Sequence, residues 1–195
     1  MRVQRLLSSL AFLAVGYTLG SVLLATVVSP AFSWRYNALS NLGVTTTDAG
    51  TTATVVIFNG GLVGGGLAGM LFCVLAFRLT RRPGRRIVVT MVGVTLVMMS
   101  LVGVFPQGTA PHFPVAAAFF LLVTLTTWVA AVVCASVGDR HLSLLSFAAG
   151  TANILTWVVW FVAAPIPEAL AIPEMVGATL FGGWLCAYAV RITPE

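Results

Sequence analysis

Six runs of about 20 mostly apolar residues, each bounded by arginine, proline or a polar cluster, leave this chain little choice of environment. A run of that length forms a helix that crosses the hydrocarbon core of a bilayer. Only a helix satisfies all of its backbone donors and acceptors within a single segment. Composition agrees: 8% of the 195 residues are charged and 59% are hydrophobic, against roughly 25% charged in a soluble domain. The sequence predicts an all-α, polytopic membrane helical bundle of six transmembrane helices. They lie over residues 6–28, 55–77, 87–105, 113–137, 142–163 and 174–191, within one domain over 1–195. The first run is longer than the apolar core of a cleaved signal peptide and has no small-x-small site before Pro30, so it reads as a retained helix.

Charge sets the expected orientation. Arg2, Arg5, Arg78, Arg81, Arg82, Arg85, Arg86, Arg140 and Arg191 fall on one side of a six-span chain, and Arg35 alone falls on the other. The excess of arginine marks the cytoplasmic side, which places both termini in the cytoplasm of a multi-pass plasma-membrane protein. A net charge of +5 would suggest nucleic acid in a soluble protein; here it is topology signal, and no nucleic acid partner is expected. The arginines of 78–86 add a modest attraction to anionic headgroups, so membrane lipids are the expected partners.

Cys73, Cys134 and Cys186 each sit inside an apolar run, without CxxC spacing, which argues against both a disulfide framework and a metal site. Gly16 and Gly20 form one GxxxG spacing. Gly61, Gly65 and Gly69 repeat at every fourth residue, with Gly60, Gly64 and Gly66 between them. The second cluster superficially resembles a phosphate loop, but no strand precedes it and no Lys-Ser/Thr follows. It reads as a face for close helix approach, with homo-oligomerisation through Gly61, Gly65 and Gly69 left open.

The polar residues gather on the side opposite the arginines. Trp34 to Gly43 is the most hydrogen-bond-rich stretch, and Leu39, Leu42 and Val44 within or beside it suggest a loop that folds back onto the bundle. Arg35, Asn37, Ser40, Asn41, Asn59, His112 and Glu174 are the candidate ligand-binding residues, with Glu168 at the same side. Each also has a plain structural role open to it. Glu174 suits a helix N-terminus through the dipole, His112 suits a wetted loop, and Arg35 suits a pair with Asp48 or a glutamate.

Three functions compete. Binding or sensing of a lipid headgroup or small polar ligand ranks first, because a guanidinium with several amides suits a phosphate or carboxylate. An intramembrane lipid-modifying enzyme ranks second, with His112 and Glu174 as general base and acid and Ser40 as the nearby nucleophile. A small transporter ranks third, since the midplane is nearly free of ionisable groups and the two halves show no repeat. No metal is expected, because His112 and His141 fall on opposite sides and no HExxH pattern occurs; no cofactor is implied. A His112–Glu174–Ser40 cluster beside a lipid-sized groove would mark an enzyme. A shallow pocket dominated by Arg35 and the asparagines would mark a binding protein.

The run Tyr36-Asn-Ala-Leu-Ser-Asn-Leu-Gly43, then Phe58-Asn59-Gly-Gly-Leu62, then Gly103-Val-Phe-Pro106, precedes His112 with Ala116, Phe119 and Phe120 in the next helix. Together they resemble a large group of small six-helix membrane proteins, mostly archaeal and bacterial, classed as the DUF998 type. The resemblance covers essentially the whole chain. It implies a shared site built from Asn37, Ser40, Asn59, His112 and Glu174, and it implies no reaction. The last helix in that group opens with a Gly-Leu-x-Glu-Arg-like motif. Glu174 matches the acid, but Met175 stands in place of the arginine and Ile172-Pro173 in place of Gly-Leu, so Arg35 is the candidate substitute.

Overall fold

A computed structural model describes residues 2–163 and 169–192. Its helices are α1 (Arg2–Val28), α2 (Thr52–Leu79), α3 (Pro83–Val104), α4 (His112–Ser136), α5 (Arg140–Ala163) and α6 (Ala171–Arg191). A short 3-10 helix, Leu39–Gly43, lies between α1 and α2, and no strand occurs among the described residues. Each helix begins up to about one turn before the apolar run inside it, as polar and arginine-bearing residues carry the helix out of the apolar zone.

The helix starts follow from local chemistry. Thr51 and Thr54 cap α2 reciprocally, each hydroxyl accepting from the other's backbone N–H at 3.1 and 2.8 Å. Pro83 occupies the first turn of α3, where its missing N–H costs nothing. Asp139 accepts from the Leu142 N–H at 3.0 Å to cap α5, just after Gly138 ends α4 with a φ of +83°.

Successive helices pack against one another from α1 to α6, and α6 returns to α1 and also touches α4. Two internal voids on the resulting axis are walled by α1, α2, α3, α4 and α6. Five helices therefore form a ring, and α5 lies outside it in the seam between α4 and α6.

Helices α1 to α5 are long and apolar enough to cross a membrane. Helix α6, with 21 residues, has the length but is less apolar, for a reason the ring supplies. Its Gly177, Phe181, Gly182, Trp184 and Tyr188 are buried against protein rather than offered to lipid.

Small and polar residues hold the ring closed. A Cβ on Gly61 or Gly65 would strike Ser21 or Thr18 of α1, and one on Gly66 or Gly69 would strike Ser100 or Leu96 of α3. The Gly61, Gly65 and Gly69 face is thus occupied within the chain. A Cβ on Gly16 or Gly20 would instead meet nothing among the described residues. Hydroxyls and amides stitch the remaining seams. Thr95 meets Thr126 at 3.1 Å, and Trp184 Nε1 donates to Ser146 Oγ at 2.8 Å. Asn153, 1% exposed, donates to Thr124 Oγ1 at 2.8 Å and to the Phe120 carbonyl at 3.0 Å. Such bonds are favourable where lipid offers no alternative partner. The cysteines are free, with Cys73 and Cys134 buried and Cys186 half-buried.

The two glycine pairs respond differently to an added methyl. Gly65→Ala forces Thr18 aside and destabilises the protein by about 1–3 kcal/mol. Gly16→Ala meets nothing and is neutral or stabilising by up to about 1 kcal/mol through helix propensity. Thermal unfolding of the purified protein in detergent checks this, with Gly65→Ala melting below wild type and Gly16→Ala at or above it.

Candidate functional site

Between α1 and α2 the chain runs through residues 29–51 and folds back onto the bundle. Leu42 and Ala49 are fully buried, and Leu39 is nearly so. Asn37 Oδ1 accepts from the Ser33 N–H at 2.7 Å, and Asn41 Oδ1 accepts from the Ala38 N–H at 2.8 Å, so both asparagines shape the turn locally. The Ser29 hydroxyl donates to the Ala49 carbonyl at 2.7 Å and closes the loop's base.

The loop is clasped to the start of α6 by three bonds at every second residue. Ala169 N–H donates to the Arg35 carbonyl at 2.6 Å, and Ala171 N–H donates to the Asn37 carbonyl at 3.0 Å. Leu39 N–H donates to Glu174 Oε2 at 2.6 Å. These three groups span the exit from the turn at 34–36 into the 3-10 helix. The α6 N-terminus gains an acceptor for one of its orphan amides in the same contacts.

Two further tethers hold the loop to α2 and to the α3–α4 connection. Asn59 Nδ2 donates to the Gly43 carbonyl at 2.9 Å, and a Cβ on Gly43 would sit 2.7 Å from Asn59 Oδ1, so the backbone must stay bare there. Gln107 Oε1 accepts from Asn41 Nδ2 at 2.7 Å and from Ser40 Oγ at 3.3 Å. Sequence reasoning missed Gln107. The available signal was its place in the short Phe-Pro-Gln-Gly connection, at the same end of the bundle as Trp34 to Gly43.

Beneath the loop lies a cavity of about 60 Å³. Its polar lining comes from Ser40 of the 3-10 helix, His112 at the start of α4, Glu174 in the first turn of α6, and Thr18 of α1. Phe58, Phe119 and Phe120 supply much of the apolar wall. One water needs about 10–15 Å³ on such a measure, so the space admits a few water-sized groups. His112 is fixed by a 2.8 Å bond from Nδ1 to the Phe105 carbonyl. A carbonyl only accepts, so Nδ1 carries the proton of this bond. Ser40 Oγ bonds to Gln107 rather than to His112. A second void of about 30 Å³, as largely apolar as the first, continues inward and shares Thr18, Met99, Phe119 and Ala178 with it.

Of the residues expected at this end, the structure brings Ser40, His112 and Glu174 together around one space. Asn37, Asn41 and Asn59 lie close by as loop tethers, with no place on the cavity wall. Arg35 is exposed, its guanidinium 5.3 Å from the centre of the Tyr36 ring. It forms no ion pair among the described residues and does not line the cavity, so it does not stand in for an arginine beside Glu174. Glu168, Pro165 and Pro167 lie outside the described residues. Among the described residues no group of three or more His, Cys, Asp or Glu is placed to hold a metal ion.

A ring of apolar helices with a small cavity under a clasped loop defines a multi-pass membrane protein. The chain belongs to the family described as proteins of unknown function, DUF998, whose model matches residues 12–191. No curated protein and no solved structure matches it.

Replacing Gln107 by leucine strips Asn41 and Ser40 of a shared acceptor, at a cost of about 1–3 kcal/mol for donors left unsatisfied. Hydrogen exchange followed by mass spectrometry is expected to show faster exchange across 38–43 in Gln107→Leu, with α3 and α5 unchanged.

Proposed function

We propose that this protein binds or senses a small polar group, free or on a lipid headgroup, at the outer end of its bundle. One observation carries the reading: Ser40, His112 and Glu174, from segments far apart in sequence, share one small cavity closed by a clasped loop. Ionisable residues within a membrane bundle are expensive and face cavities or pathways when they serve a ligand. In this reading α6 is the sixth span, shielded from lipid over most of its surface. The arginine distribution puts both termini in the cytoplasm and the loop outside the plasma membrane.

The lipid-modifying enzyme keeps its cluster but lacks the lipid-sized groove, and Ser40 has Gln107 rather than a base as its partner. Transport has less support, because the void inward of the cavity is almost entirely apolar.

Mass spectrometry of molecules retained by purified protein, wild type beside His112→Ala and Glu174→Ala, tests the binding role. The expected outcome is a specific ligand kept by wild type and lost from both variants. Identical bulk lipid on all three would remove the proposal. Orientation has its own check in a cysteine-free background. Thr46→Cys is expected to react with an impermeant maleimide on intact cells, and Arg81→Cys only after lysis.

A further inference from the structure

We infer that the cavity takes a protonated primary amine, carried by a lipid headgroup or by a free small molecule; this rests on the binding role proposed above. The polar atoms on the wall offer lone pairs. Glu174 spends Oε2 on the Leu39 amide, and Oε1 has no partner among the described residues. His112 commits its Nδ1 proton to Phe105, and in its neutral form the ring offers Nε2 as an acceptor. The Ser40 proton goes to Gln107, so its lone pairs remain. Thr18 is 7% exposed, and its hydroxyl has no partner among the described residues. That hydroxyl can accept as well as donate.

The described wall carries no arginine and no uncommitted N–H, because Arg35 lies outside on the surface. A phosphate or carboxylate placed there would meet no cation on the described wall to offset its charge. An ammonium brings three donors and a positive charge to Glu174, His112 and Ser40. The rings of Phe58, Phe119 and Phe120 favour a cation against their faces. Size narrows the choice further. A space for a few water-sized groups suits a primary amine, whereas a trimethylammonium is bulkier and offers no N–H.

The test uses the 195-residue chain in nanodiscs of phosphatidylglycerol doped with either phosphatidylethanolamine or phosphatidylcholine. Free ethanolamine and glycerol phosphate are added to separate samples. Native mass spectrometry counts bound molecules, and thermal unfolding reports on the protein. Glu174→Gln keeps an oxygen for the Leu39 amide but loses the charge. Ala178→Leu fills the cavity and leaves every polar atom in place.

Phosphatidylethanolamine or ethanolamine is expected to bind wild type in preference to the other probes. Glu174→Gln is expected to weaken this about a hundredfold, as loss of a buried ionic partner does. Ala178→Leu is expected to block it, and decides the matter should Glu174→Gln unfold. Competition by free ethanolamine assigns a soluble amine, and retention of the phospholipid against it assigns the headgroup. A preference for phosphatidylglycerol or glycerol phosphate, lost in the same variants, would overturn the amine and keep the binding site. If no probe separates wild type from the variants, both the amine and the binding role fall.

Discussion

A carboxylate in the first turn of the last helix accepts from the Leu39 amide at 2.6 Å, across 135 residues of sequence. The loop that donates this bond has left the helical state near the edge of an apolar environment, where each unpaired backbone group costs free energy. Three regular bonds to α6, with side-chain tethers to α2 and Gln107, meet that demand. Without them the residues above the cavity would hang from α1 and α2 alone. The clasp makes Glu174 both a structural acceptor and a cavity wall.

The ring beneath depends on small residues. Hydrophobic burial supplies little attraction between helices already surrounded by lipid, so close backbone approach and hydrogen bonds must supply it. The glycines of α2 admit α1 on one side and α3 on the other, while Thr95, Thr126, Ser146 and Asn153 bond across the later seams. The lower apolarity of α6 is part of the same solution. A helix that faces protein along most of its length can carry glutamate, tryptophan and tyrosine that a lipid-facing helix would avoid.

The helices were legible because an apolar run of spanning length has one stable outcome in a bilayer, whatever its neighbours do. The folded-back loop was legible in Leu39 and Leu42, which would otherwise have remained in water. What the site residues do was not legible, since it turns on contacts between segments far apart. Asn37, Asn41 and Asn59 stood out by residue type, but that they bond within and to the loop was not legible, and Gln107, which holds two of the bonds, did not stand out. Local pattern also does not tell which glycine face meets a partner. Gly16 and Gly20 have the same spacing as Gly61 and Gly65, yet among the described residues the second pair alone meets a neighbouring helix.

The position of α6 in the ring has a consequence for how the protein is made. Synthesis delivers the helices in order, and the segment that closes the ring and carries Glu174 emerges after the other five. Until then the loop lacks its clasp, and the space between α1 and α4 stands open to lipid along one side. Helix α5, already synthesised, cannot close it, because it has no place on the cavity wall. The enclosed space thus comes all at once with α6, and a nascent chain that stalls short of that helix has the other walls without the enclosure.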